Sequence, residues 1–449
     1  MAKMEKIKYL IIGNSAGGIG AAEAIREVDS RGKITIVSDE PYPVYSRPLI
    51  SEYLASRRPL ERMLFRPADF YEKNHIQTIL GQKAEEIDIG EHTVRLRKGR
   101  KIGWQKLLLA TGGAPIVPQI EGADHNGVFT FGTLDDAKAI DQYLSRRVER
   151  AVVIGGGLIG VSAAEALTKR GLEVTIVEMK ERILNTILDE EASALAAERL
   201  KQAGVKIVTG HTVAAVSSYY LSGEVTGVTL GDSRPIPCEL VIVAIGVQPR
   251  TDLAGTGIKV NRGIVVDRHM ATSSADVYAC GDVAEAYDFV YGENRLTPIW
   301  PNAYIGGRIA GFNMAGITKE YQGGTAMNSL KYFGLAIVSA GMVEPPDKSY
   351  QVLTKKHNHT YKKVILKDGL VVGMVFAGDI EKSGIVFSLM KERVNVEGFK
   401  QAVVADDFGL ISLPEEMWRP RLEAPPSLLA SSVTPVEQAE EIAIGEQRL

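Results

Sequence analysis

Gly13-Asn14-Ser15-Ala16-Gly17-Gly18 and Gly155-Gly156-Gly157-Leu158-Ile159-Gly160 are the two stretches whose reading decides the fold. Each follows an apolar run, residues 9–12 and 152–154, and each opens an Ala-rich stretch of helical character. A second strand-like run then ends in acid: residues 33–37 lead into Ser38-Asp39-Glu40, and residues 173–177 lead into Glu178. The order strand, tight turn, helix, strand, acid puts helix N-terminal N–H groups where a pyrophosphate is received, and a carboxylate where a ribose is held. Two such units imply two bound dinucleotides, and a chain holding both is suited to moving a hydride from one to the other.

Working outward, the pattern predicts a strand at 6–12, a helix over 16–29, a Pro- and Tyr-rich excursion over 41–80, and a strand at 107–110 running into Thr111-Gly112-Gly113. In the second unit it predicts a helix over 159–170, a further helix over 189–203 and a strand at 241–245 closed by Gly246. The segment 94–101, with alternating Val, Arg and Leu and then Gly99, reads as a solvated hairpin. The first domain is therefore interrupted by the second and resumes near 247. From about 326, strands with turns at Lys367-Asp368-Gly369 and Ala377-Gly378-Asp379, plus two short helices, indicate a third domain of α+β type. The expected division is 1–118 with 247–325, then 119–246, then 326–420, with a tail over 421–449 that is mobile or straps a partner. The fold class is α/β, two Rossmann-like dinucleotide-binding domains plus a C-terminal α+β interface domain.

Composition narrows the function. The 449 residues carry 52 Lys and Arg against 55 Asp and Glu, a net charge of −3, which argues against a nucleic-acid or anionic-membrane partner. No apolar run reaches the ~18 residues of a membrane span, and Met1-Ala2-Lys3-Met4-Glu5-Lys6 leads straight into the first strand, so a cytoplasmic protein without signal peptide is expected. The two cysteines, Cys238 and Cys280, are too few for an iron–sulfur cluster, which takes about four thiolates. Any such centre lies on a partner. His75, His92, His125, His211, His269, His357 and His359 show no metal-ligand spacing, and no metal site is expected.

With these motifs in place, the chain resembles the FAD-dependent pyridine nucleotide-disulfide oxidoreductase superfamily, in the branch of NADH:rubredoxin and ferredoxin reductases and nitrite-reductase flavoproteins. The resemblance covers about residues 5–415 and rests on Leu109-Ala110-Thr111-Gly112, Ala244-Ile245-Gly246, the run from Tyr278 to Glu285, Pro43-Val44-Tyr45-Ser46-Arg47-Pro48 and the stretch from Tyr361 to Asp379. It implies FAD in the first unit and NAD(H) in the second. Gly13, Ser15, Ala16, Gly17 and Gly18 would lie at the FAD pyrophosphate, Glu40 or Asp39 on the adenosine ribose, Arg47 and Pro48 near the phosphates or flavin, and Ala84 on adenine. Ala110, Thr111 and Gly112 would line the flavin, and Gly281 and Asp282 the ribityl chain. Pro298, Trp300 and Ala303 would introduce a helix whose positive end faces the flavin N1/O2 edge. Gly155, Gly157, Leu158, Ile159, Gly160, Glu178 and Gly246 would hold NAD(H), with Lys180 and Arg182 as nearby cations that soften a preference for NADH over NADPH. A homodimer through the C-terminal domain is a further implication.

Three positions depart from the family pattern. Ser15 replaces a glycine, Ser162 stands where many relatives carry a glutamate that positions the nicotinamide amide, and Glu52 stands where oxygenase-type reductases carry a lysine near flavin N5. No catalytic acid or base is assigned. Segment 42–54, where thiol-dependent relatives carry their redox cysteine, contains no sulfur, so sulfenate and mixed-disulfide chemistry lose their nucleophile. Cys280 is expected to pack beneath FAD, Cys238 to be structural, and Phe333 either to approach the flavin or to pack in a core. The reading is an FAD-dependent NAD(H) oxidoreductase whose partner is a small iron–sulfur or rubredoxin-like protein or subunit. The rivals are an NADH oxidase forming hydrogen peroxide and a redox-gated binding subunit with slow turnover.

Overall fold

The computed structural model describes residues 6–56 and 58–423. The expected tail lies, from 424 onward, outside the described residues.

In the first unit, strand Lys6–Ile12 buries its last four residues and turns through Gly13 into helix α1, Ala16–Val28. The strand is flanked in parallel by Ile34–Val37 and Lys101–Leu109, with Ile76–Ile79 outside the former and Val277–Ala279 returning beside the latter. Thr93–Leu96 and Lys101–Leu109 pair antiparallel, so segment 94–101 is the expected hairpin, turning through Lys98 and Gly99 at φ 72° and 84°. The excursion carries helices α2, Ile50–Ser56, and α3, Phe70–Lys73.

The second unit contributes α4, Leu134–Tyr143, α5, Leu158–Lys169, and α6, Glu190–Gln202. Its parallel sheet runs in the order 206–209, 173–178, 150–154, 240–243, 128–130. The expected strand over 241–245 instead spans Leu240–Val243. Ala244 still donates its N–H to Ile154 at 2.8 Å but lies past the paired strand, its carbonyl next to Gly155, and Ile245 is exposed. Two short strands, Gly113–Pro115 and Val247–Pro249, pair antiparallel where the chain passes between the units.

Helix α7, Trp300–Met314, returns against α1. Glycines set that packing: a Cβ on Gly307 would lie 2.0 Å from the Gly17 carbonyl oxygen, and one on Gly311 would lie 2.4 Å from that of Ala21. The backbones touch where side chains would hold them apart. The last part is an antiparallel five-stranded sheet in the order 327–332, 335–341, 370–377, 360–367, 351–357, accompanied by α8, Ser383–Lys391, and α9, Glu415–Glu423. Its Tyr332, Leu335, Ile337, Tyr361, Val375 and Ala377 share one core with the second unit. Among the described residues no helix is long and apolar enough to cross a membrane.

Candidate functional site

Both glycine turns are closed by backbone contact. Gly13 sits at φ 124°, and a Cβ there would be 2.1 Å from the Ala110 carbonyl oxygen; one on Gly18 would be 2.0 Å from that of Gly13. The second turn repeats this: a Cβ on Gly155, at φ 108°, would be 2.3 Å from the Ala244 carbonyl oxygen, and one on Gly160 would be 1.9 Å from that of Gly155. Ser15 and Gly157 are the N-caps of α1 and α5, extended in backbone, and the Ser15 hydroxyl caps nothing. The N–H groups of both first turns are thereby left open to an anion.

Around the first turn, several of the expected residues converge. Ala110 continues the sheet by donating to Ile12, the Thr111 hydroxyl donates to the Arg250 carbonyl at 2.8 Å, and Gly112 turns at φ 69°. Gly281, at φ 75°, has Ala303 as its nearest neighbour, and Ala303 also borders Gly17, so the start of α7 lies beside both. Pro298 is exposed two residues before that helix, and Trp300, its first residue, meets Phe65 edge-on at 5.2 Å. The carboxyl of Asp282 is raised by burial, an effect partly offset by the Arg47 cation, and it makes no side-chain hydrogen bond among the described residues. A half-buried carboxylate without a donor suits a ligand that brings hydroxyls. Ala84 is buried at the start of its strand.

The two candidate ribose acids of the first unit differ. Asp39 is spent on Arg250 at 2.9 Å. Glu40 accepts from Arg47 and from the Tyr45 hydroxyl, 2.5 Å away. Tyr45 in turn accepts from the Leu134 N–H at 3.0 Å, and Arg47 donates to the Gly132 carbonyl at 3.0 Å, tying segment 40–48, including Pro48, to the start of α4. In the second unit Glu178 accepts from the N–H of Gly156 at 2.6 Å and of Lys180 at 2.8 Å, one bond per oxygen. Each oxygen keeps a lone pair, enough for a ribose hydroxyl. Leu158 and Ile159 are half-buried behind the Gly157 cap, and Gly246 turns the connection at φ 132°.

Sequence reasoning missed a second layer. Arg66 pairs with Glu23 at 2.6 Å, Tyr304 donates to Glu23 at 2.7 Å, and the guanidinium lies 4.1 Å from the Phe65 ring. Asn14 donates to the Tyr42 carbonyl and accepts from the Tyr71 hydroxyl at 2.8 Å. These partners stand up to 281 residues apart, beyond any local signal.

Both thiols are fully buried, and burial pushes Cys238 and Cys280 each up to about 12. Cys280 lies directly beneath Gly17: a Cβ on that glycine would meet its sulfur at 2.7 Å. Phe333 turns a hairpin at φ 44°, donates its N–H to Glu165 at 2.9 Å and packs against the second unit's core. Ser162 stands 3.4 Å from the Tyr332 hydroxyl, and Glu52 3.6 Å from Arg58. His357 closes a hairpin, its ring accepting from Asn358.

Residues 7–307 match the family described as pyridine nucleotide-disulphide oxidoreductase, and residues 327–394 match the rubredoxin NAD+ reductase C-terminal domain. The chain belongs to the pyridine nucleotide-disulphide oxidoreductase family. It is an NAD(P)H oxidoreductase of that family, and its cofactors are FAD and NAD(H). It is 31% identical over 423 residues to the NADH-dependent phenylglyoxylate dehydrogenase subunit epsilon of Aromatoleum evansii, covering 93% of this chain and 99% of that one. It is also 31% identical to the NADH-rubredoxin oxidoreductase of Clostridium acetobutylicum, over 84% of this chain and 92% of that one. Among solved structures, the ferredoxin reductase for the CYP199A2 system of Rhodopseudomonas palustris superposes with a TM-score of 0.82 at 26% identity, covering 90% of this chain and 99% of that one.

Proposed function

We propose that this chain carries electrons between NADH and an iron–sulfur or rubredoxin-type protein, as one member of a larger redox assembly, without a thiol relay. The observation that carries the reading is the pairing of two glycine turns, each leading into a helix with no side-chain cap, with a molecule whose only two cysteines are sealed in its core. A buried thiol held near 12 is not a thiolate at neutral pH and cannot take electrons by disulfide exchange. Relatives bearing rubredoxin and ferredoxin in their names support the class of acceptor.

When bound, FAD accepts hydride from NADH and can return electrons singly, so the protein's own work is placement. The turns at Gly13 and Gly155 would offer N–H groups to the two pyrophosphates, Glu40 and Glu178 would accept from ribose hydroxyls, and Asp282 would accept from the ribityl chain. The start of α7, with Pro301 as its second residue, would turn its positive end to the flavin's N1/O2 edge. Gly17 and Ala303 close that side against water. In this reading the FAD domain is 1–118 with 247–325, the NAD domain 119–246 and the interface domain 326–420. The protein works in the cytoplasm, and the interface domain offers a surface for a homodimer.

The test is NADH oxidation by the FAD-loaded protein in air, with and without a small iron–sulfur or rubredoxin-type protein from the source organism. Slow oxidation made fast by that protein is expected. Fast oxygen consumption yielding hydrogen peroxide without any partner would favour an oxidase. Partner affinity that follows flavin reduction with no turnover would favour a redox-gated binding subunit.

A further inference from the structure

Residues 178–184 form a loop tied at both ends to the second glycine turn. Glu178 accepts from the Gly156 N–H at 2.6 Å, and the Leu184 N–H donates to the Gly156 carbonyl at 2.7 Å. Arg182 lies inside this loop, four residues after Glu178. Its guanidinium is only partly committed: Nε is buried without an acceptor among the described residues, and Nη2 is 3.8 Å from the carboxylate of Glu344. Glu344 comes from the C-terminal domain. Its other oxygen is 3.1 Å from Lys363 Nζ, and that buried ammonium is 3.0 Å from Asp189, which also receives the Tyr361 hydroxyl at 2.6 Å. Signs alternate along Asp189, Lys363, Glu344 and Arg182, and the buried inner pair fixes where the chain begins.

We propose that Glu344 is a coenzyme-specificity residue: by neutralising Arg182 from another domain, it withholds the guanidinium that a 2′-phosphate on the adenosine ribose would recruit. This rests on the reading of Glu178 as the ribose acid. A guanidinium with open donors is the side chain best matched to a phosphate, in planar bidentate geometry. Left unpaired beside the ribose, Arg182 would offset the repulsion between Glu178 and a 2′-phosphate. Glu344 returns the loop's charge to one that favours the 2′-hydroxyl, and docking of the C-terminal domain thereby takes part in the choice of NADH over NADPH.

The experiment measures kcat/KM for NADH and NADPH with a dye acceptor, using full-length FAD-loaded protein. Glu344→Gln is expected to raise the NADPH value about tenfold, the scale of one partly screened unit charge, and to leave the NADH value within about twofold. Glu344→Asp, which keeps the charge, should retain the wild-type ratio. The double variant Glu344→Gln with Arg182→Gln should lose the gain, because the gain depends on the cation. An unchanged NADPH value in Glu344→Gln, or a rise that persists in the double variant, would overturn the proposal and leave the Glu178 reading standing. Wild-type protein that uses both coenzymes equally would overturn the Glu178 reading and this one with it.

Discussion

The first glycine turn is roofed by the rest of the molecule: α7 lies on α1 backbone to backbone, and the Cys280 sulfur sits against Gly17. In the second turn a Cβ on Gly157, the N-cap of α5, would meet no heavy atom within 4 Å. The acids differ in the same sense. Glu40 is held by Arg47 and Tyr45, which reach on to the start of α4, whereas Glu178 is satisfied by N–H groups of its own loop and turn. In the reading proposed above, the first site, wired into its surroundings, would keep a group resident, and the second, with its helix N-cap uncovered, would let one exchange.

The largest expected contrast is in stability. Gly307→Ala pushes a methyl to within 2.0 Å of the Gly17 carbonyl oxygen, and an overpacked contact between two backbones should cost about 3 kcal/mol or more. Gly157→Ala, with no neighbour to meet, should cost less than about 1 kcal/mol. Thermal unfolding of both variants measures this; equal losses would break the contrast between a roofed turn and an uncovered N-cap.

Binding should separate next. Asp282→Ala removes a carboxylate with no protein donor, and losing charge-assisted bonds worth roughly 1.5–3 kcal/mol should weaken FAD retention about ten- to a hundredfold. Fluorescence titration of apoprotein with FAD reads it, and undiminished affinity would remove Asp282 from the site. Glu178→Gln should instead leave FAD in place and lower kcat/KM for NADH about tenfold. The wild type should favour NADH over NADPH, since two unit charges about 4 Å apart repel by roughly 4 kcal/mol at an effective dielectric near 20.

A smaller effect is expected from the thiols. With Cys238 and Cys280 both replaced by Ser, NADH-to-dye transfer should stay within about twofold, although each buried hydroxyl can cost about 1–3 kcal/mol of stability. Smallest is the pH effect of Asp282. Its folded-state carboxyl is raised, so the apoprotein binds that proton more tightly folded than unfolded. The resulting penalty is absent below the unfolded value of about 3.9 and grows as pH rises from there to the folded value. Asp282→Asn should therefore raise the Tm of apoprotein at pH 7, and the gain should vanish towards pH 3. A gain that persists there would assign it to packing.

What could be read from sequence was local or periodic. The turns at Gly13 and Gly155 and the hairpin around Lys98 and Gly99 each need only a short window, as do the acids that end the second strands, Asp39 or Glu40 and Glu178, whose roles remain proposals. The return of α7 onto α1 left a trace in Gly307 and Gly311, although their partners on α1, Gly17 and Ala21, could be known only from the fold. Arg66, Glu23 and Tyr304 left none, nor did the tie between Tyr45 and Leu134, because each joins distant segments through ordinary polar residues. The strand end at Val243 was misplaced because Ala244 and Ile245 are apolar and suit a strand, while the chain turns away towards Gly246 at φ 132°.

The central claim, that electrons pass from NADH through this chain to a one-electron acceptor without a thiol, is tested most directly by anaerobic stopped-flow mixing. The FAD-loaded protein lacking both cysteines is reduced with NADH and mixed with ferredoxins and rubredoxins of the source organism, then with a disulfide and with peroxide. Rapid reoxidation by at least one of the iron proteins, at the rate of the unsubstituted protein, and none by disulfide or peroxide is predicted. Failure with every iron protein, together with fast disulfide or peroxide turnover that disappears when the cysteines are removed, would contradict it.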